Sequence, residues 1–344
     1  MKPGCYTAII TPFLGDRVDF RGLEQLVEFQ IENGVTGILA VGTTGESPSL
    51  AWDEHHQVTT HVVKKIRGKG VGIAGTGSNN TQEALAATRH AVETGADAVL
   101  LVDPYYNGPS SLEIRREYIT PIAAAFPGID VIPYVIPGRT GAQLLPEDLG
   151  LLSREFKNVQ TVKEATGNIE NMQRTREVCG RDFTILSGDD ALTYSVMTDP
   201  QIMAAGVISV ISNIAPAAVS QMVDLLLKGR KAEAEKRMRL LEPLFNLVTV
   251  KTMEKTPFGE VVCRARNPLA LKTLMAVLGM PAGGCRQPLG KMTPNGLQTV
   301  LSAAKTVFAA DAQVFQPVAD FFKVDIEARL NSPKFIAGLT YDVY

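Results

Sequence analysis

The stretch Val159-Gln160-Thr161-Val162-Lys163-Glu164-Ala165-Thr166-Gly167-Asn168 reads as one unit of a repeating pattern. The run to Ala165 predicts a short buried strand, and Thr166-Gly167-Asn168 predicts the turn that hands it to a helix. A lysine near the C-terminal end of such a strand is costly to bury as a cation. Desolvation lowers its pKa, and the neutral amine is a nucleophile toward carbonyls. Taken alone, Lys163 also reads as an ordinary strand-end lysine paired with Glu164.

The same unit recurs along the first 229 residues. Strand and helix pairs are expected at 6–11 and 21–33, 37–41 and 52–66, 71–75 and 81–94, and 98–102 and 111–125. They continue at 130–135 and 146–155, then through the Lys163 strand and a helix over 168–179. The last two pairs are 183–186 with 190–198 and 206–211 with 215–228. Alternation of this kind predicts a parallel sheet buried on both faces, and eight units close a (β/α)8 TIM barrel. An open doubly wound sheet would want a Gly-rich turn after its first strand, and Thr11-Pro12-Phe13 cannot serve. Residues 1–229 are therefore expected to form the catalytic barrel. After Gly229 strand signals fade. Helices at about 230–250, 266–279 and 293–309 predict a C-terminal helical annex over 230–309. Residues 310–344 form an extension whose aromatics (Phe315, Phe321, Phe322, Phe335, Tyr341 and Tyr344) predict docking on the barrel or on a partner subunit.

Composition removes several function classes. The 344 residues are 45% hydrophobic and 20% charged, with a formal net charge of −2. No basic surplus exists to hold nucleic acid, and no polybasic patch or apolar span to hold a membrane. Cys5, Cys179, Cys263 and Cys285 have no close pair, which suits a reducing cytoplasm. The N-terminus runs directly into a strand without a signal-peptide pattern. His55, His56, His61 and His90 lie in expected helices without a His-x-x-x-His pair, so no transition metal is expected.

In a barrel, residues at the C-terminal ends of strands build the site. Those ends carry Gly42-Thr43-Thr44-Gly45-Glu46-Ser47, Asp103-Pro104-Tyr105-Tyr106-Asn107, Tyr134 with Pro137-Gly138-Arg139-Thr140-Gly141, Lys163, Ser187-Gly188-Asp189-Asp190 and Gly206-Val207-Ile208. Each has a plain reading as a turn, a loop cap or a surface ion pair. Together they place a lysine nucleophile, a tyrosine proton carrier, hydroxyls and an arginine on one face. The chemistry implied is carbonyl condensation without metal or nicotinamide: an imine on Lys163, an enamine, and attack on a second carbonyl. A tyrosine relayed through a hydroxyl moves the protons, and Arg139 offers a two-pronged grip on a carboxylate.

These motifs, with Val162-Lys163-Glu164-Ala165-Thr166-Gly167-Asn168 and Gly206-Val207-Ile208-Ser209-Val210, resemble the dihydrodipicolinate synthase (4-hydroxy-tetrahydrodipicolinate synthase) family of pyruvate-dependent aldolases over residues 3 to 309. The resemblance implies condensation of pyruvate with L-aspartate-4-semialdehyde in diaminopimelate and lysine biosynthesis. It implies that Lys163 forms the pyruvate imine and that Tyr134 is the proton donor and acceptor. Thr43 and Tyr106 would complete the relay, Tyr106 reaching in from a neighbouring subunit of a homotetramer built as a dimer of dimers. Thr44, Ile208 and Gly188 would bind pyruvate, and Arg139 the semialdehyde carboxylate. A lysine effector site would fall on Ser47, Trp52, His55, Asn79, Glu83 and Tyr105.

The chain departs from the family pattern at Val135, at Ala204-Ala205, in the lengthened stretch between Asp190 and Gly206, and in the extension beyond 310. Competing readings are a related pyruvate-dependent lyase, such as N-acetylneuraminate lyase or a keto-sugar-acid aldolase, and a non-catalytic binder on a retained barrel. Arg139 argues against the first, and the presence of Lys163 and Tyr134 against the second.

Overall fold

A computed structural model describes residues 1–342. Eight parallel strands close on themselves: β1 (Gly4–Ala8), β2 (Gly37–Ala40), β3 (Val71–Gly75), β4 (Ala98–Val102), β5 (Asp130–Val135), β6 (Thr161–Glu164), β7 (Thr184–Ser187) and β8 (Gly206–Ser209). Between them run helices α1 (Phe20–Glu32), α2 (Trp52–Ile66) and α3 (Thr81–Thr94), a composite helix over 111–125, α4 (Pro146–Glu155), α5 (Ile169–Cys179) and α6 (Thr193–Thr198). Helix α7 (Pro216–Leu227) follows β8. The fold is a TIM barrel, and the strands are buried on both faces as their near-continuous apolar runs require.

Local chemistry fixes the joints. Asp19, Asn80 and Asn168 cap α1, α3 and α5 by accepting from backbone N–H groups of the first turn. The composite helix passes through a π-turn over Ile114–Ile119 just before Pro121. Proline lacks an N–H and its ring crowds the carbonyl four residues back, so a wider turn relieves the conflict. The barrel seam closes where Gly4 pairs with Gly206. A Cβ on Gly206 (φ +150°) would lie 1.9 Å from the Gly4 carbonyl oxygen, so this approach admits only glycine.

The annex holds helices α8 (Lys231–Phe245), α9 (Leu269–Leu278) and α10 (Pro294–Ala310). It departs from the helical annex expected above. Between α8 and α9 stands an antiparallel hairpin, β9 (Thr249–Thr256) and β10 (Gly259–Arg266), joined at Pro257-Phe258. The physical reason is the alternation Val250, Thr252, Glu254 against Val261, Cys263, Ala265 around a Pro-Phe-Gly turn, a period-two signal hidden among charged residues. One face of the hairpin, through Glu254, accepts hydrogen bonds from Thr293 (2.7 Å) and Asn295 (2.9 Å) of the annex.

The extension folds back on its own chain. It forms α11 (Gln316–Phe322) and α12 (Ile326–Asn331). Phe315 is 0% exposed, and Phe321 and Phe322 pack on Phe29 of α1 with ring centroids 5.4 and 5.2 Å away. Arg329 donates to the Val277 carbonyl at the end of α9 (2.7 Å). Tyr344 lies outside the described residues.

Apolar side chains gather in three clusters. One fills the barrel, with Tyr6, Leu39, Ile73, Leu100, Ile132 and Ile208 among its members. A second packs the outer shell between Ala74 and Ala204. The third joins residues 5–66 to residues 207–330, so barrel, annex and extension share it. Removal of a fully buried aromatic leaves a cavity. Phe315→Ala is expected to lower stability by about 3–5 kcal/mol, read as a shift of the urea midpoint at unchanged slope.

Candidate active site

Strand period two turns Lys163 inward and Glu164 outward. Lys163 is 4% exposed and stands opposite Tyr134 of β5 and Leu186 of β7. Its Nζ lies 4.1 Å from the centroid of the Tyr134 ring. Burial drives its pKa down to about 7, with Asp190 resisting and Arg139 assisting the shift. Glu164 is not its partner. That carboxylate accepts from Asn171 Nδ2 (3.1 Å) and the Thr166 amide, and its own burial raises it to about 7. The plain reading of Lys163 as a surface ion pair therefore fails.

Asp190 is the carboxylate that the amine senses. It is fully enclosed, accepts from the Ser209 hydroxyl and from the Val210 (2.9 Å) and Ile211 (3.2 Å) amides, and is raised to about 6 by burial. Gly188 keeps the lysine stem free: a Cβ there would come within 2.7 Å of Ala165 Cβ and 3.2 Å of Lys163 Cε. Burial also raises the Tyr134 phenol, while Arg139 and the Thr43 hydroxyl pull it back.

A cavity of about 540 Å³ opens above Lys163, walled by Thr43, Thr44, Tyr134, Arg139, Gly188 and Asp190 among others. Thr43, Tyr134 and Arg139 also border a smaller cavity of about 220 Å³ that reaches Ser47 and Tyr105. Ile208 is sealed in the barrel interior with Tyr134 and Leu186, and Val210 is the β8-side residue on the wall. Tyr106 is not brought to this site within one chain. It is 94% exposed, on a turn where its φ is +82°. Val135 points away from the cavity into the outer shell, so its departure from the family pattern does not touch the wall.

Trp52, His55, Asn79 and Glu83 line neither cavity, and Asn79 meets the smaller one through Tyr105. Asn79 accepts from the Tyr105 amide (2.7 Å), and Glu83 accepts from the Ser78 hydroxyl. The Trp52 ring packs at a tilt on His55, with centroids 4.9 Å apart, and burial pushes His55 down to about 4.

Two residues unread in the sequence hold the 42–47 turn. The turn is strained: Val41 has φ +48° and Glu46 φ +56°, both outside the usual range of such residues. Lys272 of α9 reaches Glu46 at 2.6 Å, both side chains being 1% exposed. The same amine donates to the Thr11 (3.0 Å) and Gly284 (2.8 Å) carbonyls, and burial lowers its pKa. Asn267 donates to the Thr44 hydroxyl at 2.9 Å. A lysine inside the apolar run Leu269-Ala270-Leu271-Lys272-Thr273-Leu274 was the available signal for the first. None marks Asn267.

Among the described residues, no three His, Cys, Asp or Glu side chains are grouped to hold a metal ion, and no helix is long and apolar enough to cross a membrane.

A closed parallel barrel with a desolvated lysine at its mouth defines an enzyme of the lysine-based lyase class. A model of the dihydrodipicolinate synthetase family matches residues 1–307. The chain belongs to this family and is a pyruvate-dependent lyase. The 4-hydroxy-tetrahydrodipicolinate synthase of Methanococcus vannielii is 38% identical over 304 residues, 88% of this chain and 98% of its own. The solved structure of the 4-hydroxy-tetrahydrodipicolinate synthase from Methylacidiphilum fumariolicum SolV superposes with a TM-score of 0.83 at 36% identity, over 92% of this chain and 99% of that one. That of the synthase from Cyanidioschyzon merolae with lysine bound gives 0.80 at 33% identity, over 89% and 99%.

Removing one member of a buried ion pair leaves the other charge uncompensated. Lys272→Met is expected to cost about 3–5 kcal/mol, measured by chemical denaturation. Pairing it with Glu46→Gln should recover much of the loss.

Proposed function

We propose that this chain condenses pyruvate with L-aspartate-4-semialdehyde, forming 4-hydroxy-tetrahydrodipicolinate in the cytoplasm on the route to diaminopimelate and lysine. The observation that carries the reading is the lowered pKa of Lys163 beside Tyr134. A large fraction of the amine is then neutral near pH 7. It attacks the keto carbon of pyruvate, water leaves, and an imine forms. The imine draws electrons from the adjacent methyl group, which loses a proton and becomes an enamine carbon. That carbon attacks the aldehyde of the second substrate, whose oxygen takes a proton to become a hydroxyl; the substrate's own amino group then replaces the Lys163 nitrogen on the imine carbon, which closes the ring and frees the lysine. No cofactor takes part in these steps.

Tyr134 donates and accepts the protons, with Thr43 passing them outward. In a homotetramer built as a dimer of dimers, Tyr106 of one subunit completes the relay of the next. Its exposure in the single chain and its strained backbone support this reading. Thr44 and Gly188 line the pyruvate side, Ile208 backs it from the barrel interior, and Arg139 holds the aldehyde's carboxylate. Ser47, Trp52, His55, Asn79, Glu83 and Tyr105 form a lysine effector site, in which Glu83 receives the ligand's ammonium group. The lysine-bound relative supports it. Relatives named as this synthase favour the reading over the sugar-acid lyases.

Two experiments test the proposal. Borohydride trapping of pyruvate should be lost in Lys163→Ala. In the parent its rate should rise with pH through about 7 and then level, because the amine becomes neutral there. A rise that continues to about pH 10 would mean an ordinary, solvated lysine. A coupled assay with both substrates and the following reductase should show nicotinamide oxidation, with lysine lowering the rate. Trapping without turnover would exclude the semialdehyde as acceptor.

A further inference from the structure

The hairpin that the sequence concealed lies over the mouth of the barrel. Its cross-strand pairs place Thr249 opposite Arg266 and Lys251 opposite Arg264, on one face. All four of these residues line the cavity above Lys163. The other face, through Val250, Glu254 and Ala265, is buried against the annex. Like charges directly opposite on a hairpin destabilise it. Here Lys251 and Arg264 form such a rung, and among the described residues neither they, Arg266 nor Arg139 has a carboxylate within salt-bridge distance.

The charge of the cavity is one-sided. Its wall carries Arg139, Lys163, Lys251, Arg264 and Arg266 against Asp189 and Asp190. Asp190 is already committed to Ser209 and two backbone amides. Arg139 donates to the Asn267 carbonyl (3.4 Å), and Arg266 to the Gly138 carbonyl (3.2 Å), so the hairpin base and the Arg139 loop brace each other. The condensation joins a keto acid to an amino-acid aldehyde, so two carboxylates and one ammonium group enter the cavity, and both carboxylates are there when the carbon–carbon bond forms.

We infer that Lys251, Arg264 and Arg266 are specificity-determining residues that bind the carboxylate of the second, aldehyde substrate together with Arg139. The inference rests on the proposed reaction for the identity of that substrate. The hairpin is thus a cationic arm of the active site. An arriving carboxylate relieves the Lys251–Arg264 repulsion and is held by several donors at once.

The test compares the parent with Lys251→Gln, Arg264→Gln and Arg264→Lys in the coupled assay. KM for the aldehyde should rise about tenfold in each Gln variant, the loss of one charge-assisted hydrogen bond, and recover in Arg264→Lys. The dependence of kcat/KM on ionic strength should flatten. Borohydride trapping of pyruvate should keep the parent rate. An unmoved aldehyde KM overturns the inference. So does a joint fall in trapping rate, pyruvate affinity and thermal midpoint, which would make the hairpin merely structural. If the parent traps pyruvate yet gives no turnover, the proposed reaction fails. The arm is then judged on calorimetric binding of glutarate: about tenfold weaker binding in the Gln variants supports it, and equal binding overturns it.

Discussion

The ion pair between Lys272 and Glu46 joins the two parts of the molecule that the chemistry needs together. Each charge is almost wholly withdrawn from water, which is tolerable only because both are fully partnered. Lys272 donates to Glu46 and to two backbone carbonyls, while the second Glu46 oxygen accepts from the Arg286 amide at 2.8 Å. The pair therefore anchors the annex to the loop after β2. That loop holds two residues in left-handed conformations, and such strain persists only where surrounding contacts overdetermine it. Thr43 and Thr44 take their positions from this anchoring.

Above that anchor, the site works by separating charges that sequence order places side by side. Lys163 and Glu164 are neighbours in the chain and strangers in space. One enters the barrel and loses its proton easily. The other enters the outer shell, where Asn171 and Thr166 hold it. Asp190 sits close enough to raise the lysine's pKa, yet its hydrogen bonds leave it little freedom to neutralise the amine directly. The amine is thereby held near neutrality by burial opposed by one fixed carboxylate.

The barrel was legible because eight apolar runs alternate with amphipathic stretches, a pattern that only a few architectures satisfy. Lys163, Tyr134, Thr43, Thr44, Gly188 and Arg139 were legible because a barrel presents its strand ends on one face, and the structure gathers all six around one cavity. Tyr106 lies outside it, since a single chain leaves that loop facing solvent. The hairpin was not legible: Lys251, Glu254, Lys255 and Arg264 interrupt its alternation and extend the helical pattern of α8. Lys272 and Asn267 were not legible either. Their partners, Glu46 and Thr44, are more than two hundred positions away in the chain, and the meaning of each residue lies in the other.

The division of the outer core has a consequence for how the protein is made. The cluster between Ala74 and Ala204 draws on one continuous stretch, so it is complete as soon as that stretch has left the ribosome. The other cluster needs α1 and α2 together with residues as late as Leu330. Phe29 of α1 therefore waits for the Phe321 and Phe322 rings that cover it until nearly the whole chain has been synthesised. Phe29 is the side chain that a nascent-chain chaperone would meet during that interval.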